Sequence, residues 1–117
     1  MRDRGNLSHD IKIYLDSLWL ERGLTENTIT SYQIDLLSFE EWLGDRSDTG
    51  IISAKRSDIL AYLGHRLENG SSPRSSARCL SCLRGFYKFL LRSGYLEIDP
   101  TVDIDSPKVG RSLPTVI

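Results

Sequence analysis

Residues 73–92 constrain the fold more than any other segment. Ala77, Leu80, Leu83, Phe86, Tyr87, Leu90 and Leu91 recur at helical spacing. Ser71-Ser72-Pro73 supplies a cap and a first-turn proline before them, and Ser93-Gly94 a stop after them. A surface helix buries a single apolar stripe, but this one is apolar over too wide an arc for that. It must be packed on more than one side, which makes it the centre of a helical bundle.

Three further helices are available to surround it. The first spans about 10–22, capped by Ser8, with Ile11, Leu15 and Leu18 on one face and Gly23 as its stop. The second runs from a Thr25 cap to about Leu43, where Gly44 ends it, and carries Ile29, Tyr32, Leu36, Phe39 and Leu43 at alternating spacings of three and four. A polar stretch from Asp45 to Ser53 follows, in which Ile51 and Ile52 tuck into the core. The third helix covers about 57–68, buries Ile59, Leu63 and Leu67, and stops at Asn69-Gly70. No segment alternates like a strand. The expectation is an all-α, four-helix orthogonal bundle over 1–104, followed by an irregular linker over 105–117. Asp99-Pro100, Ser106-Pro107-Lys108 and Leu113-Pro114 interrupt regularity towards the C-terminus.

A chain of 117 residues suffices for one domain, and 39% hydrophobic with 26% charged residues is an ordinary globular balance. No apolar run approaches the ~20 residues of a membrane span, and no signal-peptide core follows Met1. The expected protein is cytoplasmic, with no membrane partner. The net charge of −1 hides a division. Residues 1–68 hold 8 Lys/Arg against 12 Asp/Glu (−4), and residues 69–117 hold 7 against 4 (+3). No acid lies between Glu68 and Glu97, where Arg74, Arg78, Arg84, Lys88 and Arg92 all fall. Such asymmetry points to a local anionic partner.

Catalytic chemistry finds little support. Cys79 and Cys82 form a C-x-x-C, but His9 and His65 have no ligand-like spacing to them, and the pair sits inside a helix rather than at its start. They read as small buried hydrophobes. Tyr14, Tyr32, Tyr62 and Tyr87 fall within helices, which suits packing better than nucleophilic use, while Tyr95 lies beyond the last helix. There is no phosphate loop, zinc-protease motif or nucleophile elbow. No catalytic residue, metal ligand or cofactor is assigned.

The polar side of the fourth helix is more informative. Arg78, Ser81, Gly85, Lys88 and Arg92 form one stripe, with Arg84 beside it and Arg74 and Ser75 at the helix start. A solvated face usually mixes signs, and this one does not. Arginines among small hydroxyl residues and a glycine permit close approach to a phosphate backbone while guanidinium groups reach base edges. The stripe could supply about three to four phosphate contacts. Asn27, Thr28, Thr30 and Ser31 place short hydrogen-bonding side chains on the first turns of the second helix.

These segments resemble the core-binding (SAM-like) domain of the Xer-type, phage-integrase-like tyrosine recombinases. The resemblance is carried by residues 24–36 (LTENTITSYQIDL) with Phe39 and Trp42-Leu43, and by residues 75–90 (SSARCLSCLRGFYKFL). Residues 14–21 are similar to the XerD branch in particular. The resemblance implies a helical domain that clamps one face of a double-stranded DNA recombination half-site through its second and fourth helices. It implies DNA contacts at Thr28, Thr30, Ser31, Arg74, Ser75, Arg78 and Ser81, to which the basic stripe adds Arg84 and Lys88. Relatives often carry basic residues straight after the Tyr32 position, where this chain has Gln33-Ile34, so its second helix is expected to contribute less charge. The resemblance further implies that the phosphotyrosine chemistry lies in a later domain, that a second recombinase subunit joins the full-length synaptic complex, and that this fragment alone is a catalytically inert monomer. Two rivals remain: a protein-interaction module with a basic patch, and a small transcription regulator, which would place its basic residues on a compact helix-turn-helix.

Overall fold

The computed structural model describes residues 9–47 and 50–104. The Ser8 cap, the breaks at Ser106-Pro107-Lys108 and Leu113-Pro114, and the linker 105–117 lie outside the described residues. Helix α1 is His9–Ser17, α2 Glu26–Ser47, α3 Arg56–Glu68 and α4 Pro73–Arg92. No strand occurs among the described residues. The all-helical bundle expected from the apolar spacing is the one observed.

Helix α4 is its centre. Cys79, Leu80, Cys82, Leu83, Phe86, Tyr87 and Leu90 are all fully buried, and α1, α2 and α3 each pack against it. Ser72 caps the helix by accepting the Ser75 N–H at 3.0 Å, with Pro73 in the first turn where no N–H is needed. The buried Tyr87 hydroxyl donates to the Ile51 carbonyl at 2.5 Å, which ties the short 3-10 turn Ile51–Ser53 to the core. At the other end of the size scale, Gly85 lies beneath the Tyr14 hydroxyl of α1, and a Cβ there would collide with it. The Tyr14 ring packs on Phe86 and Phe89 at 5.6 and 5.5 Å between centroids. The glycine is therefore the notch through which α1 crosses α4.

The corner between α3 and α4 is short and fixed. Gly70 adopts φ +94°, its N–H bonds the Leu67 carbonyl at 3.2 Å, and the Ser71 N–H bonds that of Arg66 at 2.9 Å. This is the left-handed helix stop that Asn69-Gly70 predicts.

Several boundaries differ from the sequence expectation. Helix α1 does not run regularly to residue 22. The Ser17 hydroxyl donates to the Tyr14 carbonyl at 2.7 Å, and from Leu18 to Arg22 the turn widens to π geometry. Helix α2 continues through Gly44 to Ser47. There Arg46 lies over the Trp42 ring at 5.1 Å and 3.9 Å from the Asp58 carboxylate, contacts that hold the extra turn in place of a glycine stop. Helix α3 starts one residue early, because Asp58 accepts the Lys55 N–H at 2.9 Å. Leu67 and Leu91 are exposed rather than buried, each lying in the last turn of its helix.

Past α4 the chain folds back. Asp99, Pro100, Thr101 and Ile104 are buried, and the Asp99 carboxylate accepts both the N–H and the hydroxyl of Thr101 at 2.8 and 2.6 Å. The break expected at Asp99-Pro100 is thus a packed turn.

Candidate nucleic-acid interface

The first turn of α2 is set by Thr25, whose hydroxyl accepts the Thr28 N–H at 3.2 Å and donates to the Thr28 hydroxyl at 3.0 Å. Thr28, Ser31 and Asp35 then recur on one side of the helix. Asp35 is 2% exposed, a costly place for a carboxylate without a partner. Its partner is Arg78 of α4, which donates from Nε at 3.2 Å to one carboxylate oxygen and from Nη2 at 3.1 Å to the other. The hydrogen bonds and the charge of Asp35 raise the guanidinium pKa further.

The Arg78 side chain remains about half exposed, at 48%, against 3% for the carboxylate. A guanidinium carries five N–H donors, and Asp35 takes only the edge made by Nε and Nη2. The end-on edge, Nη1 with the second Nη2 hydrogen, is left over. Arg78 also lines a depression of about 280 Å³, with Asn27, Thr28, Ser31 and Tyr32. Two helices distant in sequence thus combine short hydroxyl and amide groups with a pre-oriented arginine.

The other expected contact residues divide into three groups. Arg74 and Ser81 are exposed on the same side of α4 as Arg78. Lys88 is also exposed, but Tyr14 over Gly85 separates it from Arg78, so the stripe is interrupted by α1 rather than continuous. The glycine read as allowing a phosphate to approach instead lets a tyrosine approach. Three positions are occupied elsewhere. Thr30 opens towards the opposite groove, between α1 and α2, with Lys12, Leu15, Trp19 and Gln33. The Ser75 hydroxyl accepts a hydrogen bond from Arg66 Nη2 at 2.8 Å. Arg84 donates from Nη2 to the Ile104 carbonyl.

Two residues that shape the site escape the reading of charge runs and helix starts. Asp35 is an isolated acid on a largely apolar face. Its spacing from Thr28 and Ser31, opposite an arginine-bearing helix, is the signal that would have found it. Arg66 is the other, reaching from α3 under the first turn of α4 with its guanidinium carbon 5.9 Å from the Tyr62 ring centre.

Cys79 and Cys82 are fully buried in α4. Burial pushes the Cys79 thiol up to about 12 and raises Cys82 as well. No group of three or more His, Cys, Asp or Glu that could hold a metal ion occurs among the described residues. Both thiols are expected to resist Ellman's reagent near neutral pH in the folded chain and to react fully in denaturant. Rapid release of the coloured thiolate from the native protein would contradict this burial. No helix of the described residues is long and apolar enough to cross a membrane.

The sequence matches the family described as phage integrase, N-terminal SAM-like domain, over residues 11–94. The chain belongs to that family. Among its relatives, tyrosine recombinase XerD of Pseudomonas putida is 48% identical over 101 residues, covering 86% of this chain and 34% of that protein. XerD of Xanthomonas campestris pv. campestris is 43% identical over 107 residues (92% and 33%), and XerD of Haemophilus influenzae 38% identical over 104 (89% and 35%). The chain spans about a third of the length of the curated relatives it matches.

Proposed function

We propose that this chain is the DNA-gripping N-terminal domain of a site-specific tyrosine recombinase of the XerD type, holding a recombination half-site through the start of α2 and the exposed basic side of α4. The observation that carries the reading is the Arg78–Asp35 pair beside Thr28 and Ser31. It presents a fixed guanidinium edge next to short hydrogen-bonding groups, a combination suited to base edges flanked by phosphates. Arg74 lies near the capped first turn of α4, where N–H groups and the helix dipole favour a phosphate.

In this proposal the domain proper is 1–104 and the linker 105–117. DNA breakage and rejoining falls to a separate catalytic domain, and a second recombinase subunit joins the full-length assembly. The chain by itself is expected to bind duplex DNA as a monomer, with a dissociation constant on the order of micromolar, because only one side of the duplex is held. It is expected to leave no covalent product on a nicked duplex. Fluorescence anisotropy with a labelled duplex tests the first expectation and a denaturing gel the second. Absence of any duplex binding would overturn the reading in favour of a basic protein-interaction surface, and a covalent adduct would overturn the assignment of chemistry to another domain.

A further inference from the structure

We infer that Asp35 is a positioning residue for DNA reading: it holds one edge of Arg78 so that the other edge faces base acceptors, and it cancels the charge that would otherwise draw Arg78 to a phosphate. The inference rests on the DNA-binding reading above and specifies how the α2–α4 surface discriminates between sequences.

Three observations carry it. The pair is bidentate, with Nε and Nη2 on separate carboxylate oxygens at 3.2 and 3.1 Å, so the guanidinium plane is fixed rather than merely attracted. Its two members are unequally buried: Asp35 is enclosed, while Arg78 remains half open to solvent. A pair that served only to join two helices could be replaced with apolar side chains of similar volume at no cost in stability, often with a gain. Arg78 also lines a depression together with Asn27, Thr28, Ser31 and Tyr32.

The electrostatics then favour one kind of ligand. A phosphate approaching Arg78 meets a full negative charge on Asp35 directly behind the guanidinium, so the attraction between unit charges is largely cancelled. The dipolar O6 and N7 acceptors of a guanine lose much less, because their interaction is short-ranged and depends on donor geometry. An arginine side chain also has substantial rotamer freedom to lose, and Asp35 removes much of it before DNA arrives. Arg78 is thereby converted from a sequence-blind anchor into a selective contact.

The test uses the 117-residue chain. A duplex library with a randomised core is first passed over the unsubstituted protein to obtain a preferred duplex. Binding to that duplex and to a scrambled version is then measured across a salt series for the unsubstituted chain, Asp35→Asn and Arg78→Lys. Asp35→Asn is expected to bind the scrambled duplex more tightly, with a salt slope steeper by about one unit, because an uncompensated cation is added. Its preference for the selected duplex is expected to fall about tenfold. Arg78→Lys keeps the compensated charge but loses the fork, so the preference falls similarly while the slope is unchanged.

A purely structural pair would lower affinity for both duplexes by one factor and leave the preference intact. That result, or an unaltered preference in a folded Asp35→Asn chain, overturns the inference. If Asp35→Asn does not fold by circular dichroism, Arg78→Lys decides, and an unchanged preference there overturns it equally. An unsubstituted chain that binds duplex with no preference overturns this inference alone, whereas one that binds no duplex overturns the DNA-binding reading with it.

Discussion

Gly85→Ala is expected to destabilise the bundle by up to about 2 kcal/mol, although alanine is the better helix former. Two effects oppose each other. Removing a glycine from a helix interior gains about 1 kcal/mol, mostly by restricting the unfolded chain. The new methyl, however, falls on the Tyr14 hydroxyl, whose ring is buried and held between Phe86 and Phe89. Forcing an extra carbon into such packing typically costs about 1–3 kcal/mol, so the clash outweighs the propensity. Tyr14→Phe removes the colliding oxygen, and the next ring atom is 3.5 Å from the added methyl, an ordinary contact. In that background Gly85→Ala is expected to be neutral or stabilising by up to about 1 kcal/mol. Urea denaturation of the four chains gives the coupling directly. An equal effect of Gly85→Ala in both backgrounds would show that the tyrosine is not what requires the glycine.

Salt is expected to weaken duplex binding by roughly sixteen- to sixty-fold between about 50 and 200 mM, a log–log slope of about −2 to −3. This is shallower than a count of the basic stripe suggests. Asp35 cancels Arg78, and Arg84 is engaged with the Ile104 carbonyl. Arg74, Lys88 and Arg92 remain exposed for phosphates, each worth nearly one unit of slope. Arg74→Ala is accordingly expected to flatten the slope by about one, on preferred and scrambled duplexes alike. Arg78→Lys is expected to leave it nearly unchanged while reducing discrimination, since it keeps the charge that Asp35 compensates but loses the fork. Anisotropy titrations over the salt range read both. A slope near zero, or one insensitive to Arg74→Ala, would make the stripe ordinary solvated surface.

The helices were legible because their apolar residues repeat at a single period and their ends carry strong local signals, as at Ser72-Pro73 and Asn69-Gly70. Gly44 misleads because a glycine ends a helix only when nothing beyond it favours another turn, and Arg46 on Trp42 does so. The candidate site was legible in part. Charge without interspersed acid singles out α4, and Thr28, Ser31 and Arg78 do converge. Periodicity places residues on one helix face but is silent about what crosses that face. Tyr14 on Gly85, Arg66 on Ser75 and Arg84 on Ile104 are pairings between elements 71, 9 and 20 positions apart. Asp35 with Arg78, separated by 43, belongs to the same class and is the most consequential of them.

The anchoring of Ile104 bears on leverage. Arg84 holds its carbonyl against the flank of α4, and the Asp99–Thr101 turn stiffens the approach. Ile104, the last described residue, is therefore fixed against α4, the helix that carries Arg78. A pull or twist applied at Ile104 acts on α4 less than two turns from the arginine, with little slack between them.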